Sequence, residues 1–312
     1  METILVTGGT GLIGHGIMDI TNDYLEYNFV FMSSSDCDLR DYDKTLSYFS
    51  SKKPTYVIHL AANVGGLYKN MNSKVEMFED NIAINNNVVK ASHQVGVQHM
   101  VCCLSTCIFP DDTAYPINEN MLHNGEPHHS NYPYAYSKRM LEVLCRAYNE
   151  QHNRNYKCVI PTNIYGPYDN FNLRDSHVIP GLIHKCYLAK KKNEPFVICG
   201  TGSPLRQFIY SVDLAKLILW TLFQYNDTTP IILSGPPEEE VSIKEVATLI
   251  AKHFEYSDNI QFDSSFADGQ YKKTADNSKL LTLIIEPDNT SLDNGINQTI
   301  KWFKSNYNNV RK

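Results

Sequence analysis

Tyr134 and Lys138 are a pair of residues whose types and spacing suit acid–base chemistry. They stand four positions apart in a stretch with helical periodicity, so that both side chains lie on one face of the helix. A tyrosine ordinarily titrates at a pKa of about 10, and a neighbouring ammonium group favours the phenolate and brings it into the range of catalysis at neutral pH. A surface pair has the same spacing, and other residues must therefore support a catalytic interpretation.

A polar run from Ser105 to Cys107 follows an apolar stretch that ends at Leu104. If that stretch is a strand, Ser105 stands at its carboxyl end, where its hydroxyl can hydrogen-bond a substrate carbonyl that the tyrosine protonates. Cys107 taken alone is typical of a small buried hydrophobic residue. The run is a candidate part of the same site as the tyrosine–lysine pair.

Glycines at positions 8, 11 and 14 lie between the first predicted strand and the first predicted helix. Glycines in such a loop allow the backbone to approach a pyrophosphate closely at the positive end of a helix. A plain tight turn also contains glycines, but the position between a strand and a helix favours dinucleotide binding. The predicted cofactor-binding residues of this loop are Gly8, Thr10, Gly11, Leu12, Ile13 and Gly14.

The end of the second predicted strand indicates which dinucleotide binds. NAD enzymes usually have an acidic residue there, which holds the ribose 2′-hydroxyl, whereas this sequence has the hydroxyl-rich segment 31–35, with Ser34. Hydroxyls can donate to a 2′-phosphate and Arg40 is near in sequence, so the sequence favours NADP(H); a polar loop without preference is the alternative. Further cofactor-binding candidates, which strand-end packing would also explain, are Asp38, Leu39, Leu60, Ala61 and Ala62.

Short apolar strands alternate with helical patterns through the first half of the chain. The predicted strands are Ile4-Val6, Phe29-Met32, Tyr56-Leu60, Met100-Leu104 and Lys157-Ile160. The predicted helices are Gly14-Tyr24, Asp41-Ser51, Val75-Val95 and Ser137-Gln151. Because parallel neighbours need crossover helices, this alternation predicts an α/β fold with a Rossmann-type doubly wound parallel sheet.

From about Gly166 onwards, prolines break this rhythm into shorter elements. The second half is therefore predicted to be a smaller C-terminal α/β domain over the carboxyl edge of the sheet, where ligands bind in open sheets. We predict an NADP-binding Rossmann domain over residues 1–165 and a substrate-binding domain over residues 166–312. Segments at about 207–235 are expected to pack back on the first domain.

Composition excludes several classes of partner. The 312 residues carry a formal charge of -6 without a long block of like charges, which argues against nucleic acid and anionic membranes as partners. No apolar run approaches the ~18 residues of a membrane span, and Met1-Glu2-Thr3 leads into ILVTGG without the features of a signal sequence. The eight cysteines include no C-x-x-C pair. These features predict a cytoplasmic protein with no metal site.

Taken together, these motifs resemble those of the extended short-chain dehydrogenase/reductases and, among them, the GDP-L-fucose synthase family. The resemblance covers most of the chain, from the glycine loop to Asp268-Gly269. The glycine and tyrosine–lysine motifs are shared by the whole superfamily. Much narrower is the combination of Cys107, the segment 161–167 and His177, which lies in Ser176-His177-Val178-Ile179-Pro180; Arg206-Gln207-Phe208 also matches.

The resemblance implies that the substrate is GDP-4-keto-6-deoxy-D-mannose, which is epimerised at C3 and C5 and then reduced at C4 by NADPH to GDP-L-fucose. The 4-keto group acidifies both neighbouring carbons, so that epimerisation requires a base on one face and an acid on the other. The resemblance assigns these roles to Cys107 and His177, and which of them is the acid stays open. Tyr134 would protonate the 4-oxygen, Ser105 would orient it, and Lys138 would tune the tyrosine and hold the nicotinamide ribose.

The resemblance also assigns residues to the two ends of the ligand site. For the GDP-sugar it implies Lys185, Arg206 and Lys273 near the phosphates or guanosine, and Asp268 at a sugar or ribose hydroxyl. Residues implied to face the cofactor are Leu104, Ser105, Tyr134, Lys138, Pro161, Thr162, Asn163, Ile164 and His177, with Asn163 also facing the sugar. One departure is Cys199, which stands where the family usually has a tryptophan. If that tryptophan packs on the substrate, the missing aromatic surface weakens the contact there.

Two other functions remain open. The first is another nucleotide-sugar enzyme of the superfamily, such as a 4-epimerase or a 4,6-dehydratase, which would not need the pair of Cys107 and His177. The second is a non-catalytic NADPH-binding module, which would not need the tyrosine, lysine and serine. The adjacent His128 and His129 are predicted to face solvent, and the helices Val75-Val95 and Ser137-Gln151 are candidates for a homodimer interface.

Overall fold

The computed structural model describes residues 1–266, 268, 270–285 and 287–312, with every side chain among them except that of Tyr68. Gly269, part of one resembling motif, lies outside the described residues. The strands are β1 (Glu2–Thr7), β2 (Tyr27–Met32), β3 (Tyr56–His59), β4 (His99–Cys103), β5 (Asn155–Pro161), β6 (Asn163–Tyr165), β7 (Phe196–Cys199), β8 (Leu205–Arg206), β9 (Phe208–Tyr210), β10 (Ile231–Leu233), β11 (Val241–Ser242) and β12 (Ile260–Asp263). The helices are α1 (Leu12–Met18), α2 (Tyr42–Lys52), α3 (Leu67–Asn72), α4 (Lys74–Gln94), α5 (Tyr132–His152), α6 (Val178–Lys192), α7 (Ser211–Phe223), α8 (Ile243–His253), α9 (Ser278–Leu283) and α10 (Leu292–Asn306).

Six parallel strands form the central sheet in the order β2-β1-β3-β4-β5-β10. The chain leaves β1 towards β2 on one side and then crosses to β3 on the other side. The strand order therefore reverses at the carboxyl ends of β1 and β3, which opens a crevice of the kind that holds ligands in such sheets. The prediction of an α/β fold with a Rossmann-type doubly wound parallel sheet is confirmed.

Two predicted helices differ from the observed ones at their ends. Helix α1 ends at Met18 instead of Tyr24, because the Thr21 hydroxyl donates to the Met18 carbonyl at 2.9 Å and competes with further helical turns. Helix α5 begins at Tyr132, five residues before the predicted start, because Pro133 suits the first turn, where its missing N–H removes no hydrogen bond. The earlier start places the tyrosine–lysine pair inside the first two turns.

Both faces of the central sheet are covered, which explains why its strands are apolar throughout. Leu5 in β1 packs in the core that α4 and α5 share, whereas its neighbours Ile4 and Val6 pack with α1 and α7 on the opposite face. These three residues are fully buried. A strand buried on both faces loses the alternation of an amphipathic strand, as expected for a parallel sheet.

The second half of the chain has its own core and smaller sheets. Helices α6, α8 and α10 pack around residues such as Ile183, Val246 and Phe303, and β7 pairs with β12 in parallel. Helix α7 packs on the six-stranded sheet, and β10 is the edge strand of that sheet beside β5. The domain division at residue 165 stays a prediction. No helix in the described part of the chain is long and apolar enough to cross a membrane.

Candidate active site

One large cavity, of about 980 Å³, lies over the carboxyl ends of the central strands and under the elements of the second half. Every residue that the sequence analysis assigned to catalysis, cofactor or substrate borders it. They are Gly8, Thr10, Gly11, Leu12, Ile13, Gly14, Ser34, Asp38, Leu39, Leu60, Ala61, Ala62, Leu104, Ser105, Cys107, Tyr134, Lys138, Pro161, Thr162, Asn163, Ile164, His177, Lys185, Arg206, Asp268 and Lys273. Residues from both halves of the chain thus share one site.

The glycine loop forms one end of this cavity, and two of its glycines are required by the backbone. Gly8 has a φ of +69°, and a Cβ there would lie 2.8 Å from the amide nitrogen of Ala61. A Cβ at Gly14 would lie 2.3 Å from the carbonyl oxygen of Gly9. Side chains at either position would push the loop away from β3 or from α1. The first-turn N–H groups of α1 have no intrahelical partner, which suits a pyrophosphate.

The segment after β2 carries a charged cluster around Arg40. The guanidinium donates from Nε and Nη2 to Asp38, at 2.9 Å each, and from Nη1 to Asp80 at 3.3 Å. These hydrogen bonds from Arg40 lower the pKa of Asp38 to about 2. Ser34, in the same segment, is exposed and also borders the cavity. A ribose 2′-phosphate at this place would meet a hydroxyl and a guanidinium, whereas the Asp38 carboxylate is already paired.

Tyr134 and Lys138 line the cavity from α5. Lys138 Nζ donates to the carbonyl oxygen of Cys103 at 2.8 Å and lies 5.8 Å from the centroid of the Tyr134 ring. Both side chains are buried. Burial raises the pKa of Tyr134 well above its usual value and lowers that of Lys138.

The direction of the Tyr134 shift differs from the sequence-based expectation, which had the ammonium group lowering the phenol pKa. Desolvation is the largest influence on Tyr134 in this structure, because the phenolate would have to form away from water. The phenol therefore keeps its proton at neutral pH. A protonated phenol is the state that a proton donor needs.

The run from Ser105 to Cys107 forms a short 3-10 turn directly after β4. The Ser105 Oγ accepts a hydrogen bond from the Cys107 N–H at 3.4 Å and thereby caps the turn. Cys107 is buried, and burial raises the pKa of its thiol, while the positive charge of Lys273 and the hydrogen bond with Ser105 oppose that rise. A negative charge on Cys107 would in turn raise the pKa of Tyr134 further. The thiol and the phenol therefore lie close enough to influence each other.

His177 lies on the other wall of the cavity, at the N-cap position of α6. Its side chain is exposed to the cavity. The preceding loop is fastened to the loop after β3, because the Gly66 N–H donates to the Asp175 carbonyl at 2.9 Å. A Cβ at Gly66 would lie 2.4 Å from the Ser176 carbonyl oxygen, so that only glycine allows this close packing.

The residues assigned to the GDP-sugar line the part of the cavity formed by the second half. Lys185 Nζ donates to the Cys199 sulfur at 3.3 Å, and burial lowers the pKa of Arg206. Asp268 accepts from the Thr201 N–H at 3.0 Å and from its hydroxyl at 2.7 Å. The Asp268 carboxylate thus fixes the turn that follows β7.

Besides its assigned place at the nucleotide end, Lys273 has an electrostatic influence on the thiol of Cys107. Its charge is the largest electrostatic influence that opposes the raised pKa of Cys107, and the charges of Cys107 and Asp111 act on Lys273 in return. Burial lowers the pKa of Lys273. The lysine therefore connects the nucleotide end of the cavity with the thiol.

His128 was predicted to face solvent, and this prediction is wrong. The loop between β4 and α5 returns over the strand ends, so that His128 is half-buried at the edge of the cavity, with Nδ1 hydrogen-bonded to the Ser130 hydroxyl at 2.7 Å. The neighbouring His129 is exposed. Asp169 and Arg174 also border the cavity and were not singled out. Nothing in the local sequence distinguishes these residues from surface loop residues.

A metal centre is not suggested by the side chains in residues 1–266, 268, 270–285 and 287–312. Among them, no three His, Cys, Asp or Glu residues group in a way that could hold a metal ion. The cavity instead combines a glycine loop, a buried tyrosine–lysine pair, a thiol and an imidazole.

Comparisons with known proteins match these features. Residues 4–233 match the NAD dependent epimerase/dehydratase family. The chain is 55% identical to the GDP-L-fucose synthase of Dictyostelium discoideum, with 100% of this chain and 98% of the relative covered. It is 46% identical to the probable GDP-L-fucose synthase of Drosophila melanogaster, with both chains covered to 100%.

A solved structure is also similar over the whole chain. The crystal structure of a GDP-L-fucose synthetase from Naegleria fowleri bound to NADP superposes with a TM-score of 0.95 at 48% identity, with 100% of this chain and 95% of that chain covered. From its fold, its cavity and these relatives, the chain belongs to the NAD dependent epimerase/dehydratase family and, within it, to the GDP-L-fucose synthases.

Proposed function

We propose that the protein converts GDP-4-keto-6-deoxy-D-mannose to GDP-L-fucose, by epimerisation at C3 and C5 followed by NADPH-dependent reduction at C4. The observation that carries this proposal is the set of residues that line this cavity together. A reductase needs Tyr134, Lys138 and Ser105, whereas Cys107 and His177 are two further proton-transfer groups in the same space. A 4-epimerase, a 4,6-dehydratase or a silent cofactor-binding module has no use for that extra pair.

The residues present fit NADP(H). The required glycines at positions 8 and 14 leave the first-turn amides of α1 open to a pyrophosphate, and Ser34 with Arg40 suits a 2′-phosphate. The buried Thr162 hydroxyl has no partner among the described residues and borders the cavity, where it can serve a polar group of the ligand. NADPH supplies the hydride that C4 receives.

Reduction relies on groups anchored to β4 and α5. Ser105 orients the 4-oxygen of the sugar, and the Tyr134 phenol donates its proton to that oxygen as the carbonyl is reduced. The Lys138 ammonium, held by the Cys103 carbonyl, lies beside the ring and stabilises the phenolate that results. The high resting pKa of Tyr134 ensures that the phenol enters the reaction protonated.

Epimerisation uses the two walls of the cavity. The 4-keto group acidifies the C3 and C5 hydrogens, and the enolate formed when one is removed collects its charge on the oxygen that Ser105 and Tyr134 hold. Cys107 and His177 remove and return protons at these carbons from different elements of the fold. The choice of acid and base between them remains open.

The experiment for this function incubates the protein with GDP-4-keto-6-deoxy-D-mannose and NADPH, follows NADPH absorbance and identifies the sugar product by NMR. We expect NADPH loss that matches GDP-L-fucose formation. The variant Cys107→Ser should oxidise NADPH without forming GDP-L-fucose. Binding of NADPH with no change in the sugar would overturn the proposal and favour the cofactor-binding module or another nucleotide sugar.

We also propose that the protein forms a homodimer through α4 and α5. Supporting this, each helix exposes large apolar side chains: Val75 and Phe78 on α4, and Tyr132, Met140 and Val143 on α5. Exposed apolar groups on neighbouring helices favour an interface. Light scattering should give twice the chain mass, and Met140→Glu should give the monomer. The cytoplasmic location remains a prediction from the sequence.

A further inference from the structure

Arg139 is a buried guanidinium on α5 that the mechanism above does not use. It directly follows Lys138 and is only 4% exposed. Nε donates to the carbonyl oxygen of Ile108 at 2.5 Å, and Nη1 donates to that of Gly125 at 2.7 Å. Nη2 is buried and has no hydrogen-bond partner among the described residues, and Cζ lies 5.5 Å from the centroid of the Tyr136 ring. One planar group thus holds two separate segments of backbone.

The first of these segments is the 3-10 turn that carries Cys107. The start of the turn is fixed by the central sheet, because the Leu104 N–H donates to the Val159 carbonyl of β5 at 2.8 Å. The last residue of the turn is Ile108, which directly follows Cys107 and whose carbonyl accepts from Arg139. Arg139 therefore supplies a hydrogen bond at the far end of the turn, beside the residue that carries the thiol.

The second segment is the returning part of the loop between β4 and α5. The Asp111 N–H donates to the Glu126 carbonyl at 2.9 Å, so that the outgoing and returning parts of this loop are joined. Gly125 immediately precedes Glu126, and its carbonyl accepts from Arg139. The guanidinium thus fastens both sides of the loop to α5, the helix that also carries Tyr134.

A buried guanidinium costs free energy, which argues against a role in stability alone. Among the described residues, no carboxylate forms an ion pair with Arg139. The Glu142 carboxylate, on the next turn of α5, pairs with His123 at 2.9 Å and with Arg146 at 3.4 Å. An apolar side chain of similar volume would avoid the cost of the buried charge. An arginine, however, offers several donors in a rigid fork, which can reach two carbonyls at once.

We propose that Arg139 is a positioning residue for Cys107, which holds the turn after β4 against α5 so that the thiol keeps its place relative to Tyr134 and to the sugar carbons. This inference rests on the proposed function. Arg139 does not occur among the described residues that line the cavity, and no proton moves to or from it. Loss of the fork should displace the thiol, whereas Tyr134 and Lys138 stay on their helix. Proton exchange at C3 and C5 should therefore suffer more than reduction at C4.

The first test needs no substrate. Arg139→Lys keeps the positive charge but lacks the fork, so that the buried Cys107 thiol should open to solvent more often. Its alkylation by iodoacetamide, followed by mass spectrometry, should quicken about 10-fold, the factor that corresponds to the loss of one typical hydrogen bond. The matched control is Arg146→Lys, which changes an exposed arginine of the same helix and should leave the wild-type rate. An unchanged rate in Arg139→Lys, or an equal increase in the control, would overturn the inference.

A second readout compares the two reactions. In Arg139→Lys, solvent deuterium exchange at C3 and C5 should fall about 10-fold or more, and NADPH oxidation about 3-fold or less. In Arg139→Ala, added methylguanidine should restore exchange and slow the alkylation of Cys107. Equal losses of exchange and reduction, without rescue, would show a general structural role and contradict the inference.

A measurement on the wild type covers the case in which neither variant folds. The Arg139 Nε–H, buried and donating to the Ile108 carbonyl, should give an NMR signal that exchanges slowly with water. Rapid exchange of that signal would refute the inference. Alkylation and NMR are independent of turnover, so that a wild type that forms no GDP-L-fucose would count against the proposed function alone.

Discussion

The two walls of the cavity present their proton-transfer groups in opposite ways. Cys107 lies on a capped turn directly after a central strand, is buried, and has cations as neighbours. His177 lies at a junction of loop and helix in the second half and is exposed to the cavity. Burial thus sets the protonation of the thiol, whereas the imidazole is open to the cavity. The two groups should respond differently to mutation and to pH.

The largest expected effect follows from replacing Tyr134, which should separate reduction from proton exchange. Tyr134→Phe removes the proton donor to the 4-oxygen, so that NADPH oxidation should fall by about 10³-fold. Deuterium exchange at C3 and C5 should fall less, because Cys107 and His177 remain. The matched control is Tyr136→Phe, two residues away on the same helix, which should reduce at the wild-type rate. Equal losses of reduction and exchange would show that the two functions do not separate.

An intermediate effect is expected on the His177 side. Gly66→Ala places a methyl group against the Ser176 carbonyl, 2.4 Å away, and must displace the loop that carries His177. Exchange should fall about 10-fold or more, with a loss of about 1–3 kcal/mol in the free energy of unfolding.

The neighbouring Gly65→Ala is the control for this change, because the atoms nearest to its methyl group belong to the Lys69 side chain and not to the backbone that carries His177. Exchange kinetics and urea unfolding of both variants provide the measurement. If both alanines behaved alike, the close packing of Gly66 would have no role in placing His177.

The smallest expected effect concerns the charge beside the thiol. The positive charge of Lys273 lowers the pKa of Cys107, so that Lys273→Met should raise it, and alkylation by iodoacetamide should require a pH higher by about one unit. Below that pH the thiol stays protonated and unreactive. The control is Lys272→Met, since the adjacent lysine lies beside Glu240 and does not act on the thiol. Mass spectrometry of the Cys107 peptide across pH measures the shift, and an unchanged or lower pH profile would contradict it.

The sequence predicted those parts of the molecule that depend on local patterns. The strands around the glycine loop were predictable because strands buried on both faces are apolar runs, and Tyr134 with Lys138 because one helix fixes their spacing. Their burial was not predictable, and it reverses the expected direction of the Tyr134 pKa shift. Solvation depends on how the second half covers the helix.

Contacts between distant segments could not be predicted from the sequence either. Lys273 lies far from Cys107 along the chain, and only the fold brings its charge to the thiol. Asp169 and His128 stand in polar loops of ordinary composition, and their place at the cavity depends on how those loops return.

The most direct test of the account measures the two reactions separately in Cys107→Ala and His177→Ala. Without NADPH, in deuterated water, NMR follows exchange at C3 and C5; with NADPH, absorbance follows reduction at C4. We predict that each variant loses exchange at one or both carbons yet still oxidises NADPH, giving a sugar with the original configuration at the unexchanged carbon. Exchange at the wild-type rate in both variants would contradict the assignment of epimerisation to the two walls of this cavity.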